Sequence, residues 1–194
     1  MFKKEVNMDR RVKYTKKIIK DTFIELVSQK DIKKITVSEI CTKADINRAT
    51  FYRYYLDVFD LLDSIKKEFE TELKNAYMPK TESENTVINF AKGMLEVFLE
   101  NKELVKMLFN TNNGLYFLNN ILEKAYTRCK EKWEKDLPNI KETDMEYASI
   151  FIFNGALGVI NFWVQNDFET DINEIAETIE TLSYYGTRKY IYKK

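Results

Sequence analysis

Histidine is absent from this 194-residue sequence, which removes the usual titrating base near neutral pH and the commonest zinc ligand. Cysteine occurs only as Cys41 and Cys129, in separate predicted helices. That pair lacks the ligand mix of a zinc site, and buried thiols in a reducing cytoplasm are the expected state. No metal and no cofactor are expected. There is no glycine-rich phosphate loop and no nucleophile spaced to meet a base, so the chain is not read as an enzyme. Two prolines and five glycines leave long stretches unbroken. Apolar residues recur at spacings of three and four rather than two, which predicts an all-α chain without strands.

An excess of charge of one sign is also missing, because 31 basic and 31 acidic residues cancel. The distribution is uneven, however. Residues 1–60 hold 14 Lys/Arg against 9 Asp/Glu, and residues 61–194 hold 17 against 22. A basic first third on an acidic remainder suits a polyanion met by the first part only, although solvated helix faces produce the same imbalance.

A long apolar leader is lacking too. "MFKKEVNMDRRVKY" is charged and has no apolar run behind it, so no signal peptide is expected. The one long apolar stretch, Tyr147–Val164, is slightly short of the roughly 20 residues of a membrane span. It contains Ser149, Asn154 and Asn161 and has acidic flanks with no basic anchor. A buried or interfacial helix is expected, with no membrane partner.

What is present is a succession of helix signals. Ile18, Ile19, Phe23, Leu26 and Val27 make the stripe of a helix over about Val12–Ser28. "TVSE" at Thr36–Glu39 fits a capping box and opens a short helix through Thr42. In "KADIN", Asp45 stands where the chain must turn sharply and Asn47 caps a third helix, Arg48 to about Tyr55. Short helix, tight turn, short helix is the helix-turn-helix arrangement. Asp57 caps a fourth helix with Leu62, Ile65, Phe69 and Leu73 on one face, ending before Pro79. "TESE" at Thr81–Glu84 opens a helix reaching about Asn101, and "NTNNG" at Asn110–Gly114 is a turn. A helix carrying Leu118, Ile121, Leu122, Ala125, Cys129 and Trp133 is stopped by Pro138. "TDME" at Thr143 opens the apolar helix, and Asp171 opens the last one.

The third helix carries the chemistry. Phe51 and Tyr55 share a face and supply core, while Arg48, Ala49, Tyr52 and Arg53 lie on the other side. Burying that side would strand two guanidiniums without an evident acid, at several kcal/mol for each uncompensated ion. It is therefore expected at the surface. Arg48 suits a guanine edge in the major groove, Ala49 and the Thr50 methyl suit thymine methyls, and Tyr52 and Tyr54 reach phosphates through their hydroxyls. The competing reading is a partly exposed aromatic helix with no ligand.

Residues 12–62, through "ITVSEICTKADINRATFYRYYLDVFDLLDSI", resemble the TetR/AcrR-type bacterial transcriptional regulators. The family's Thr, small apolar helix, Gly-Val-Ser turn, Arg/Lys, Gly/Ala, Thr, Leu/Phe, Tyr and aromatic pair are met by Thr36, Ile40-Cys41, Asp45-Ile46-Asn47, Arg48, Ala49, Thr50, Phe51, Tyr52 and Tyr54-Tyr55. The resemblance implies that Ser38, Arg48, Ala49, Thr50 and Tyr52 face bases or adjacent backbone, with Arg53 beside them, and that Thr36 and Tyr54 hold phosphates. Two positions depart from the pattern. Asp45 replaces the turn glycine, and Val58 replaces a lysine that grips a phosphate, which predicts weaker non-specific binding and a shallower salt dependence unless Lys33, Lys34 or the Arg10-Arg11 arm compensates.

The same resemblance implies a three-helix N-terminal domain, residues 1–57, and a helical regulatory and dimerisation domain, residues 58–194, with about nine helices in all. The partners it implies are double-stranded DNA with a near-palindromic operator, a second copy of the chain, and a small-molecule or protein effector; the location is cytoplasmic. The function it implies is a transcriptional regulator, most often a repressor released by an effector, the alternative being a regulator or interaction module that answers to a protein partner. "FNGALGVINFWVQNDF" is similar to a subgroup with a compact second domain. Independently of the resemblance, Ile172, Ile175, Ile179 and Leu182 follow a seam spacing, and the preceding helix is apolar nearly all round. A dimer interface is expected at Phe151, Gly155, Gly158, Phe162, Ile172, Ile175, Ile179 and Leu182, the competing reading being a bundle within one chain. A ligand pocket is expected among Met94, Phe98, Met107, Phe109, Phe117 and Trp133, although such residues at helical spacing also make plain core.

Overall fold

The computed structural model of the chain describes residues 2–76, 87–111, 114–121 and 140–191. All regular structure among them is helical. The elements are α1 (Phe2–Gln29), a 3₁₀ turn (Ile32–Lys34), α2 (Val37–Lys43), α3 (Arg48–Tyr52), α4 (Val58–Ala76), α5 (Val87–Glu100), α6 (Lys102–Phe109), α7 (described over 114–121), α8 (Glu142–Gln165) and α9 (Ile172–Ile191). The expected all-α class holds. The capping box at Thr81–Glu84, the stops at Pro79 and Pro138, and Leu122, Ala125, Cys129 and Trp133 lie outside the described residues.

Two compact units divide the chain, Met1–Thr71 and Glu72–Lys194. The division falls inside α4, whereas the sequence reading placed it at residue 57. Glu68, just past the middle of α4, is tied to α1 by Lys20 Nζ to its Oε2 at 3.4 Å. Its buried face is Leu61, Ile65, Phe69 and Leu73; Leu62, expected on that face, is only half-buried.

In the first unit Ile19, Phe23, Leu26, Ile40, Phe51 and Tyr55 are buried, and α2 packs on both α1 and α3. Burial at this level removes water from large apolar side chains, worth about 1.5–3 kcal/mol each. The expected stripe of α1 is therefore the core side.

In the second unit α9 packs on α5 and α8, and α6 on α8. Helix α6 was not anticipated. Its residues Leu104, Val105, Leu108 and Phe109 are buried, and it follows α5 after a single residue, Asn101. Gly93 of α5 has a positional reason: an added Cβ would lie 2.5 Å from the Ala76 carbonyl oxygen, so only glycine lets the two backbones approach this closely.

Helix α8 has the length and hydropathy to cross a membrane, yet Met145, Ala148, Ile160, Trp163 and Val164 are buried inside the unit. It begins at Glu142, one residue before the expected Thr143. It ends in two successive left-handed residues, Asp167 (φ 58°) and Phe168 (φ 60°). There Phe168 N donates to Trp163 O at 3.0 Å and Asp167 N to Val164 O at 3.2 Å, the crossed pair of bonds that closes a helix at a left-handed residue. Trp163 meets the Phe168 ring edge-on at 4.8 Å and its indole Nε1 donates to Thr170 O at 2.8 Å. Asp171 then caps α9, accepting from Asn173 N at 2.8 Å.

Candidate nucleic-acid interface

The interface is built from local rules. Thr36 Oγ1 accepts from Glu39 N at 3.2 Å and starts α2. The other half of the expected capping box is diverted, because both Glu39 carboxylate oxygens lie 2.6 Å from Lys30 Nζ. Helix α2 ends at Asp45, the expected turn residue, with φ 51°. Ile46 N donates to Cys41 O at 3.0 Å and Asp45 N to Thr42 O at 3.4 Å, the same crossed pair that closes α8. Asn47 Oδ1 then accepts from Ala49 N at 2.8 Å and starts α3, as expected of an N-cap.

Helix α3 is shorter than expected, ending at Tyr52 rather than about Tyr55. Arg53 N donates to Ala49 O at 3.2 Å and Tyr54 N to Phe51 O at 2.9 Å, a tightened last turn that still delivers Tyr55 to the core. Phe51 is fully buried and Tyr55 nearly so, their ring centroids 5.6 Å apart. Burial, reinforced by nearby Glu68, raises the Tyr55 hydroxyl pKa, and a hydrogen bond with Ser64 opposes part of the rise. The opposite face holds the residues singled out by the sequence. Arg48, Ala49, Tyr52 and Arg53 are exposed, and Thr50 and Tyr54 are half-buried. Tyr52 stands edge-on to Phe51 at 5.7 Å, which anchors its ring while leaving more than half of the residue open to solvent. Lys16 of α1 sits 5.6 Å from the Tyr54 ring centroid, bringing a cation to that edge.

Arg48 and Ser38 come together: Arg48 NH2 donates to Ser38 Oγ at 2.6 Å. Neither Arg48 nor Arg53 has a carboxylate in ion-pair range among the described residues. The lysines nearby are treated differently. Lys17 pairs with Asp21, Lys20 with Glu68, Lys30 with Glu39 and Lys43 with Glu25. These four lysines are compensated, and Arg48 and Arg53 are not.

Val58 is buried, and the start of α4 is occupied by acids. Asp57 Oδ1 accepts from Phe59 N at 2.8 Å and Asp60 N at 2.9 Å, and Asp60 Oδ2 accepts from Leu56 N at 2.9 Å. Amides that would otherwise attract an anion are already satisfied by carboxylates.

A family profile described as "Transcriptional regulator C-terminal region" of the TetR type matches residues 85–185. The chain belongs to the TetR family of transcriptional regulators. A curated relative, an uncharacterized HTH-type transcriptional regulator of Bacillus subtilis (YxbF), is 38% identical over 63 residues, which are 32% of this chain and 17% of that protein. The chain thus matches only a small part of that relative's length. The fold of this TetR-family protein is shared with the fatty acid degradation regulator FadR of Bacillus halodurans, at a TM-score of 0.69 and 18% identity, covering 90% of this chain and 96% of that one. It is shared as well with a TetR-like regulator from Rhodococcus, at 0.65 and 18%, again covering 90% and 96%.

In the regulator's second unit the residues read as a pocket separate. Met94, Phe98 and Phe109 are buried, with Phe98 and Phe109 edge-on at 6.3 Å. Met107 and Phe117 are half-buried. A cavity of about 250 Å³ opens elsewhere, between α8 and α9, lined by Phe151, Gly155, Val159, Ile179, Leu182 and Gly186 among others.

The residues read as a dimer seam also separate. Ile175 and Ile179 are buried within the chain, because α9 turns that stripe toward its own unit. Ile172 is half-buried. Phe151, Phe162 and Leu182 are exposed at 59%, 71% and 57%. No atom comes within 4 Å of a Cβ built on Gly155 or Gly158. Tyr147, Ile150 and Tyr185 are exposed as well, residues the sequence reading did not single out although they flank the same helices.

Proposed function

We propose that the chain is a sequence-specific regulator that binds double-stranded DNA through α2 and α3, with residues 1–57 as the reading module and residues 58–194 regulating and dimerising. The observation that carries the reading is the uncompensated pair Arg48 and Arg53 on an exposed helix face beside Ala49, Thr50 and Tyr52. Arg48 serves a guanine edge, Ala49 and Thr50 the thymine methyls, and Thr36, Tyr52 and Tyr54 the phosphate backbone.

Dimerisation through α8 and α9 is supported by the exposed Phe151, Phe162 and Leu182 and the open Gly155 and Gly158. A two-fold dimer matches a near-palindromic operator with half-sites about 34–36 Å apart. Repression in the cytoplasm, relieved when an effector shifts a two-state equilibrium of the second unit, completes the proposal. The effector is a small molecule or, alternatively, a protein partner.

Footprinting on the DNA flanking the protein's own gene, at moderate salt, tests the reading. A symmetric protected site lost in an Arg48→Ala, Tyr52→Phe variant supports it. Protection that is diffuse, or indifferent to the variant, overturns it.

A further inference from the structure

Arg48 is an exposed side chain with many rotamers, and such a group reads a base well only when it is held in place. Its restraint here is unusual in being neutral. One guanidinium N–H is taken by the Ser38 hydroxyl, 2.6 Å away on the preceding helix, and no carboxylate competes for the charge among the described residues. The guanidinium has five N–H donors in a rigid planar fork, so a single bond to Ser38 leaves enough of them for a guanine's two acceptors. A carboxylate in place of the hydroxyl would fix the side chain but cancel the charge that draws it to DNA.

The framework behind this bond is rigid. Ser38 lies half-buried in the first turn of α2, and its carbonyl accepts from Thr42 Oγ1 at 2.9 Å. Arg48 is the first residue of α3. The two helices are set against each other by the left-handed residue at Asp45 and the Asn47 cap, so the partners face one another across the turn although ten positions apart in sequence. Burial raises the Cys41 thiol pKa, and the positive charge of Arg48 opposes part of that rise.

We propose that Ser38 is a positioning residue for Arg48, setting base discrimination through the guanidinium it holds without itself touching DNA. The proposal rests on the reading of α2 and α3 as the DNA-binding surface. It differs from the expectation that Ser38 meets bases or backbone directly, and the two predict different patterns of loss across sequences. A backbone contact weakens all sequences alike, whereas a positioning bond weakens only the sequence that Arg48 reads.

The test uses the full-length protein and duplexes carrying its footprinted site, with each G·C pair exchanged for A·T in turn, symmetrically in both halves. Affinities are measured by fluorescence anisotropy over a range of salt for the wild type, Arg48→Ala, Ser38→Ala, Ser38→Thr and the Ser38→Ala, Arg48→Ala double variant. The wild type should prefer guanine about ten-fold at one pair, as expected for a bidentate arginine contact, and Arg48→Ala should abolish that preference. Ser38→Ala should reduce it to about three-fold, leaving the salt slope and the affinity for the exchanged duplex unchanged. Ser38→Thr, which keeps the hydroxyl, should retain it, and Ser38→Ala should add nothing once Arg48 is gone.

A uniform loss across all duplexes with the guanine preference intact would assign Ser38 to the DNA backbone and overturn the proposal. So would a guanine preference that needs Arg48 but survives Ser38→Ala, leaving the DNA-binding reading intact. A wild type that discriminates no duplex, or discriminates indifferently to Arg48, overturns the reading of α3 and this proposal together.

Discussion

Lys106 of α6 pairs with Asp167 at the left-handed corner that ends α8, and the same ammonium lies 6.0 Å from the centroid of Phe168. Lys102, one turn earlier, is 5.3 Å from that ring. The corner is thereby held by two cations from a helix far from it in sequence. The hydrogen bond from Lys106 holds the Asp167 carboxyl below its usual range, and the same bond raises the Lys106 pKa.

These shifts fix the sign of a pH effect. A depressed carboxyl contributes stability that is present above its unfolded value, about pH 4, and is lost as pH falls through the lower folded value. A raised lysine contributes stability that is present below its unfolded value, about pH 10.4, and is lost as pH rises beyond it. Urea unfolding across pH should show a flat neutral region with an acid decline, and Asp167→Asn should make that decline shallower. Asp171, depressed by its bonds to Asn173, keeps part of the decline in the variant.

Asp45 bears the turn at φ 51° where glycine is free of strain. Replacing it by glycine removes a left-handed penalty of about 1–2 kcal/mol and adds about 0.5–1 kcal/mol of unfolded-state entropy. Asp45→Gly should therefore raise the melting temperature slightly. Asp45→Val, branched at Cβ, should lower stability by more than about 1 kcal/mol.

Four glycines of the second unit divide into two kinds, while a Cβ on Gly186 would press on the Phe151 ring at 3.0 Å. Gly93→Ala drives a Cβ onto the Ala76 carbonyl oxygen, and Gly114→Ala onto the Leu108 backbone, so each should cost about 1–3 kcal/mol in chemical unfolding. Gly155→Ala and Gly158→Ala meet nothing within 4 Å in the single chain. They should leave its fold intact.

Phe162 tests the proposed association. It is 71% exposed, so Phe162→Asp should preserve helicity by circular dichroism. On a dimer face it should convert a micromolar dimer to monomer in light scattering. Ile179→Asp, at a position 5% exposed, should instead unfold the second unit.

The Asp57 cap bears on DNA affinity. Asp57→Ser retains a capping oxygen while removing a charge from the start of α4. Affinity should rise for all duplexes alike, with a slightly steeper salt slope. Asp57→Ala should instead destabilise the first unit by about 1 kcal/mol.

The helix-turn-helix was legible because its determinants are local. Asp45, Asn47 and Thr36 each act on backbone amides within a few positions. Helix α6 escaped notice because its N-cap, Asn101, makes no side-chain capping bond to it; the Asn101 side chain turns back to Val97 O and to Glu72. The spacing of Leu104, Val105, Leu108 and Phe109 was the signal available. The stripe of Ile175 and Ile179 was read correctly as apolar but assigned to a partner chain. A period of three and four is the same whether the neighbouring helix belongs to one chain or two. The same ambiguity attends Met94, Phe98 and Phe109, whose burial suits a pocket wall and plain core alike.

The internal ion pairs of the first unit bear on how such a regulator finds its site. Lys17, Lys20, Lys30 and Lys43 are engaged by their own acids, and the start of α4 is closed by Asp57 and Asp60. Counterion release on arbitrary sequence then falls mainly to other exposed cations of this unit, such as Lys33 and Lys34. If α3 reads DNA as proposed, the dwell time at a site depends on whether Arg48 meets its base.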